Sequence, residues 1–281
     1  MPTYETPTPI DLAINLQVGQ IDVIASERAN SVVTVKPTNP DKASDVRGAA
    51  ETTVAFDGTT ITVKSPKPRF SITGPSESVD ITVEVPVGSR FTAECAVGGI
   101  TTRGPLGATR IKSSMGAVNV ETTGDLLLEN SHGSIVVGTV DGTAEITASH
   151  GQVRVNTVTG DATVKASHGS VTVSETRGDL DAKLSYGDLD VTTALGSVTA
   201  KTAYGNVRLA EVSTGSMRLE SGFGEITVGI RNGVAAWLDL SSKKGHVRND
   251  LSSDSAPSES DQTVSVLART SFGNIRVNRT K

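Results

Sequence analysis

Glycine recurs along the middle of this chain with a fixed period, which constrains the fold more than any other feature. Members of one glycine series lie 18 residues apart, and a second series runs nine residues out of step with it. The first series is Gly133, Gly151, Gly169, Gly187 and Gly205, and the second is Gly124, Gly142, Gly160, Gly178 and Gly196. A repeat of this length is typical of a solenoid, in which each turn packs only on its neighbours.

Between the glycines, apolar and polar residues alternate, which is the period of a β-strand and not of a helix. Val171 and Val173 show it after one glycine, and Ala162 and Val164 show it after the other. The pattern predicts an all-β fold, a β-solenoid (parallel β-helix) with about 18 residues and two strands per turn. The inward side chains would fill a narrow core between two facing parallel sheets.

The first part of the chain is less regular. Residues 10–95 still alternate, and residues 18–23 already have the shape of one repeat unit, but the spacing varies. A solenoid needs its first turn covered, so residues 1–98 are predicted to form an irregular β N-terminal cap and residues 99–281 the repeats. Three polar stretches are predicted to be surface loops, the last of them a mobile insertion: residues 37–47, 65–78 and 250–262.

The repeat loosens towards the C-terminus. Trp237 takes a place that earlier turns give to Val164, so the core is predicted either to widen or to shift register there. The last strand, around Ile275 and Val277, has little sequence after it to cover its edge. Because an open strand edge tends to pair with another strand, we predict self-association there as a two-fold end-to-end dimer, with a monomer as the leading alternative.

Composition limits the partners and the compartment. The formal net charge of −5 argues against a nucleic-acid partner, and no apolar run is long enough for membrane insertion. Residues 1–20 lack a secretory signal, and Cys95 is the only cysteine. These features predict a cytoplasmic protein, which would reach the cell surface only if exported by another route or trimmed.

One corner position collects the conspicuous side chains. The residue before each first-series glycine is in turn Met115, His132, His150, His168, Tyr186, Tyr204 and Phe223. Three histidines on adjacent strands could hold a divalent metal, but a position that also accepts Met, Tyr and Phe favours a stacked ladder at the rim. We therefore predict no metal and no cofactor, and we take His132, His150, His168, Tyr186 and Tyr204 as candidate binding residues.

A second outward column contains Lys165, Lys183 and Lys201, between Glu129 and Glu220. Stacked like charges repel one another, so this column is either a solvated face or a candidate binding site for an anionic partner. The sequence leaves both interpretations open.

No catalytic residue stands out. The Gly-Asp pairs at Asp125, Asp161 and Asp179 fit calcium-binding nonapeptide repeats poorly, because Thr143 and Ser197 take the same place in other turns. Triads, Cys-His pairs and paired carboxylates are equally absent from the pattern.

Several segments together resemble the bacterial β-strand-repeat family labelled "putative adhesin", in its actinobacterial form. They are ITVEVP at 81–86, the S-x-G-x-[IV]-x-[VL] repeats, GVAAWL at 233–238 and RTSFG at 269–273. The resemblance covers nearly the whole chain. It implies a β-solenoid of unknown function, with an adhesin-like role and no catalytic residues to carry over.

Two functional hypotheses follow. The first is a non-enzymatic scaffold or binding module that presents repetitive β faces to a protein partner, a surface partner or a copy of itself. The second is a carbohydrate-active or metal-dependent enzyme on a β-helix. The lack of a polar cluster that breaks the repeat favours the first.

Overall fold

The computed structural model of the chain describes residues 2–67, 77–251 and 263–280. Contacts divide the chain into two units, residues 1–141 and 142–281. Strands dominate both units, and the described residues include one short helix. The predicted all-β class is confirmed, whereas the predicted boundary near residue 98 stays a prediction.

In the first unit the described elements are, in chain order, β1 (Thr3–Glu5), β2 (Asp11–Val18), β3 (Ile21–Ser26), β4 (Asn30–Pro37), α1 (Ala43–Glu51), β5 (Thr53–Phe56), β6 (Thr60–Lys64), β7 (Val79–Pro86), β8 (Arg90–Val97), β9 (Ile100–Pro105), β10 (Thr109–Met115), β11 (Val118–Thr123), β12 (Leu126–His132) and β13 (Ile135–Val140). They form two sheets, ordered β1-β4-β7-β3-β9-β11-β13 and β12-β10-β8-β2-β6-β5. Among the described residues, the antiparallel pairs of this unit are β1–β4, β4–β7 and β5–β6.

In the second unit the described elements are β14 (Ala144–His150), β15 (Val153–Val158), β16 (Ala162–His168), β17 (Val171–Thr176), β18 (Leu180–Tyr186), β19 (Leu189–Ala194), β20 (Val198–Tyr204), β21 (Val207–Val212), β22 (Gly215–Phe223), β23 (Ile226–Ile230), β24 (Ala235–Lys244), β25 (Val247–Asn249), β26 (Thr263–Phe272) and β27 (Ile275–Arg279). They also form two sheets, here ordered β14-β16-β18-β20-β22-β26-β24 and β15-β17-β19-β21-β23-β27-β25. All of the described pairings within this unit are parallel, as predicted.

The inward columns predicted from apolar alternation are confirmed. Val171 and Val173 of β17 are 0% and 1% exposed, and Val164 of β16 is 1% exposed. The pairing repeats the pattern from strand to strand, because Val171 lies beside Leu189 and Val164 beside Ala182. Burying each such side chain contributes about 1.5–3 kcal/mol, so the core is built by stacking one turn on the next.

Gly169 shows why glycine marks the corners. Its φ is +137°, a conformation that side chains disfavour. A Cβ added there would also lie 1.9 Å from the carbonyl oxygen of Gly151 in the neighbouring turn. Adjacent turns therefore approach too closely at this corner for any residue with a side chain.

The N-terminal segment begins with strands that join the parallel sheets, and it then forms elements that depart from this regular pattern. Strands β2 and β3 pair in parallel with β8 and β9, so residues 18–23 link two strands that belong to the parallel part of the two sheets. The chain between them forms β4 to β7 and α1 before it returns. Tyr4 of β1 and Phe56 of β5, on the two edge strands, lie with ring centroids 4.9 Å apart.

One predicted loop contains a helix. Residues 37–47 were predicted as a surface loop, but α1 begins at Ala43 and packs on β4 and β7. Its buried side is small and polar, at Asp45 and Gly48, so no apolar stripe announced it. Most of the loops predicted at 65–78 and 250–262 lies outside the described residues.

The order of the last strands corrects a second prediction. Ile275 and Val277 are fully buried, because β27 pairs with β23 on one side and with β25 on the other. The chain forms β24 and β25 first, as the outermost turn, and then returns between that turn and the earlier strands. The prediction that the last strand is an open edge is therefore wrong.

At Trp237 the strand register shifts, which is one of the two outcomes that the sequence predicted. The side chain is 72% exposed, and it pairs with Ser265 on the outward side of β24. The inward places of β24 belong instead to Leu238 and Leu240, which lie beside the buried Val266 and Ala268. Leu240, and not Trp237, takes the place that Val164 has in β16, so the register is shifted by three residues. A shift by an odd number of residues moves every side chain to the other face.

Candidate binding face

Six aromatic rings form one continuous stack at a corner of the second unit. Neighbouring ring centroids lie 4.6 to 5.1 Å apart and adjacent planes are within 8° of parallel. We call this stack the aromatic ladder, and its members are His150, His168, Tyr186, Tyr204, Phe223 and Phe272. The spacing is that of neighbouring strands in a sheet, because each ring comes from the next strand along.

The ladder lies at the rim, as the sequence predicted. Tyr186, Tyr204, Phe223 and Phe272 are 50%, 47%, 45% and 46% exposed. Because each ring covers the face of the next, the ring edges are what remains for solvent. The result is a straight row of half-exposed aromatic edges held in one orientation.

The corner that carries the ladder is fixed from inside. Strand pairing passes directly from Ala148–Ala166 to His150–His168 and omits the serine of both strands, so regular pairing is interrupted just before the ladder. Further along, Thr202 and Ser221 each donate a hydroxyl hydrogen bond to a corner glycine carbonyl, at 3.3 and 3.0 Å. Each of these buried hydroxyls gives a corner carbonyl oxygen a hydrogen-bond partner.

Two earlier members of the predicted series lie in the first unit. Met115 of β10 pairs with His132 of β12 and is 54% exposed. His132 is exposed as well. This corner position thus carries an exposed side chain in both units.

The lysine column, Lys165, Lys183 and Lys201, is confirmed as a run of adjacent positions on the outer face of β16, β18 and β20. Each ammonium has an acidic partner: Glu145 at 3.5 Å, Asp181 at 3.0 Å and Glu220 at 3.1 Å, respectively. These exposed pairs contribute about 0–1 kcal/mol each. Their main effect is to offset the repulsion between stacked lysines.

A family model described as Toastrack DUF4097 matches residues 11–280. The chain belongs to the Toastrack family. None of the curated proteins matches this Toastrack chain. Across the described residues, no helix is both long and apolar enough to cross a membrane.

Solved structures similar to this Toastrack chain carry the label that the sequence resemblance indicated. A "putative adhesin" from Bacteroides fragilis NCTC 9343 is 13% identical, with a TM-score of 0.32, and the match covers 98% of this chain and 95% of that one. One from Parabacteroides distasonis ATCC 8503 is 14% identical, with a TM-score of 0.31 and coverages of 99% and 95%. A "putative cell adhesion protein" from Clostridium sporogenes ATCC 15579 is 10% identical, with a TM-score of 0.22 and coverages of 99% and 98%.

The histidines of the Toastrack ladder are arranged for stacking. His150 and His168 have ring centroids 4.8 Å apart and planes 1° from parallel. Ligands of one metal ion must point their nitrogens at a common centre, whereas parallel rings in register point theirs the same way. Among the described residues, no group of three or more His, Cys, Asp or Glu side chains is placed to hold a metal.

The Gly-Asp pairs have a structural role that sequence reasoning missed. Asp161 accepts a hydrogen bond from the N–H of Asp179 in the next turn at 2.9 Å, and Asp179 accepts one from the N–H of Ser197 at 2.8 Å. Asp188 does the same for Asn206 at the ladder corner, at 2.7 Å. The signal was present in the sequence as Asp, Asn and Ser recurring one repeat apart after a glycine.

Among the described residues of the first unit, β2, β8, β10 and β12 carry two shallow polar depressions on their outer face. Their volumes are 140 and 210 Å³, and both are lined by Glu94 and Lys112. Asn15 donates to Glu94 at 2.8 Å, and Lys112 lies 3.9 Å from Glu129. These polar side chains already partner one another.

Proposed function

We propose that this chain is a non-enzymatic binding module, a β-solenoid scaffold whose repeating coil of about 18 residues and two strands presents a repetitive face to a protein or surface partner. The single observation that carries the proposal is the aromatic ladder. It places six aligned rings at one corner, all of them exposed. The proposed role is adhesin-like.

The ladder suits binding because its side chains are already ordered. A free tyrosine on a surface loses rotamer freedom when a partner packs on it, at about 0.5–1.5 kcal/mol. Tyr186 stacks between two rings whose centroids lie 5.1 and 5.0 Å from its own. Tyr204 likewise stacks between two rings, at 5.0 and 4.8 Å. Most of that loss therefore occurs on folding, and the row is preorganised for a partner that lies along it.

A binding role also fits the repetition itself. A catalytic site needs different chemical groups that converge on one reacting atom. Here the conspicuous side chains recur from turn to turn and lie side by side, as the ladder and the lysine column do. Such an array can contact one extended partner at several equivalent points, which raises the overall affinity without a special residue.

Site-specific photo-crosslinking in the producing cells tests the proposal. A photoreactive residue replaces Ser185, which is exposed beside Tyr186, and a matched one replaces Thr172 on the opposite sheet. We expect a discrete cross-linked species from position 185, lost when Tyr204→Ser and Phe223→Ser are added, and none from position 172. Equal cross-linking from both faces, or none from either, would overturn the proposal.

The enzymatic alternative has its own assay. The purified chain is incubated with defined polysaccharides, with and without Ca²⁺, Mg²⁺ or Zn²⁺, and new reducing ends are measured. We expect no turnover above the blank. Cytoplasmic location stays a prediction, and fractionation of the producing cells tests it.

A further inference from the structure

We propose that the outermost turn, β24 and β25, is an interface at which two copies of this chain pair edge to edge across a two-fold axis. This inference does not rest on the proposed ladder function. It concerns a different surface and a partner of known chemistry, a second copy of β24.

The first observation is an open strand edge. Within the described part of the chain, β24 is ten residues long and pairs only with β26, whereas β26 pairs on both sides. An interior strand of the same sheet shows what such an edge would bind. In β18, the N–H of Leu180 donates to the carbonyl oxygen of Ser197 in the next turn, at 2.8 Å. Following the register strand by strand, the equivalent of Leu180 in β24 is Leu238. Its N–H therefore faces the open edge, where a next strand would lie.

The second observation is an incompletely covered core. Val266 and Ala268 of β26 are 2% and 0% exposed, but their neighbours Leu238 and Leu240 are only partly buried. Val247 of β25 is 45% exposed. The core of the second unit thus continues into β24 and β25, and no other described element covers these two strands.

The third observation decides the symmetry. At the N-terminal edge strands the sheets end in antiparallel β1 and β5, whose Tyr4 and Phe56 rings meet, and α1 packs on β4 and β7. That end lacks the parallel edge which a head-to-tail contact would need. A two-fold contact uses the same surface on both copies, so the β24 edge alone is sufficient for it. Such a contact closes as a dimer and does not continue into a filament.

The sequence of β24 is complementary to itself in that arrangement. In an antiparallel pair centred on Leu240, Leu240 faces its own copy and Leu238 faces Ser242. On the outward face Trp237 lies opposite Lys243 of the second copy, which permits a cation–π contact. Asp239 lies opposite Ser241, so no like charges meet directly.

Analytical ultracentrifugation of the full chain over a concentration series tests the pairing. We expect a monomer–dimer equilibrium at micromolar concentration. Leu240→Asp should abolish the dimer by placing two carboxylates on the axis, while Val136→Asp, a matched change at an exposed valine of β13, should leave it intact. Circular dichroism and thermal melting of Leu240→Asp are measured alongside to check that the variant is folded.

A charge swap makes the test specific for the axis. Leu240→Lys alone should also be monomeric, but an equimolar mixture of Leu240→Asp and Leu240→Lys should form a heterodimer. A wild-type chain that stays monomeric, a dimer that survives Leu240→Asp, or a mixture that does not associate would each contradict the pairing. Cross-linking from position 185 should be unchanged in Leu240→Asp, so the two proposals can fail separately.

Discussion

Phe223 and Phe272 stack at 4.6 Å, although the chain leaves the sheet and forms the outermost turn between them. The stack exists because β26 returns to lie directly beside β22, in a register that brings the two rings together. The place beyond Phe272 is taken by Lys244 of β24. The aromatic ladder therefore ends where the chain doubles back, and a cation follows its last ring.

The ladder should contribute to stability as well as to binding. Tyr204 has a ring neighbour on each side, and each aromatic pair contributes about 0.5–1.5 kcal/mol. We expect Tyr204→Ala to lower the free energy of unfolding by about 1–3 kcal/mol, measured by urea denaturation. Tyr204→Phe keeps the ring and should cost little. If the two variants were equally stable, the stacking would be energetically irrelevant.

The inward columns could be predicted from the sequence because burial imposes one simple rule on every turn. The apolar alternation alone does not predict the order of the last strands, since residues 235–249 and 263–279 both have a strand, a glycine corner and a second strand. The ladder itself held the missing signal. Phe272 extends the row of rings beyond Phe223, whereas Lys244 does not, so β26 belongs next to β22 and β24 lies outside it.

The helix α1 escaped prediction for a different physical reason. Helices are usually recognised by an apolar stripe, but the buried residues of α1 are Asp45 and Gly48. The helix is held by polar contacts, one of which comes from a residue distant in sequence. The Asp45 carboxylate accepts from the N–H of Ser78 at 3.1 Å and pairs with Lys42 at 3.0 Å.

Two effects should make alanine unfavourable at a corner glycine, namely its positive φ and the close approach of the neighbouring turn. One pair of variants can separate them. Gly58 and Gly169 both have positive φ, but a Cβ meets no heavy atom within 4 Å at Gly58 and lies 1.9 Å from a carbonyl oxygen at Gly169. Gly58→Ala should cost about 1–2 kcal/mol for its backbone conformation. Gly169→Ala should cost about 1–3 kcal/mol more, because the neighbouring turn must move. Equal losses in thermal or urea unfolding would show that turns tolerate a Cβ at this corner.

Acid should loosen α1 through Asp45. Burial acts to raise the pKa of this carboxyl, but the hydrogen bonds from Lys42 and Ser78 outweigh it and hold the pKa below its ordinary value of 3.8. A lowered folded-state pKa stabilises the fold above the ordinary value, and the contribution is lost as the pH falls through the folded-state pKa. We expect the amide protons of α1 to lose hydrogen-exchange protection below about pH 4.

The matched variant for this prediction is Asp45→Asn, which keeps the shape and removes the charge. Its helix should already exchange faster at neutral pH and should show little further change on acidification, after correction for intrinsic exchange rates. Protection of α1 that falls with pH to the same extent in both proteins would rule out Asp45 as the titrating group.

The single cysteine reports on the integrity of the first unit. Cys95 of β8 is 3% exposed, and burial raises the pKa of its thiol to about 11. The thiolate is the reactive species, so at pH 8 only about one thiol in a thousand is reactive even before access is considered. We expect a disulfide reagent such as DTNB to label the native chain very slowly and the urea-unfolded chain at once. An exposed thiol made by Ser185→Cys in a Cys95→Ser background should react quickly in the native state, which shows that the reagent is active. Fast labelling of native Cys95 would instead mean that β8 separates from β2 or β10 without global unfolding.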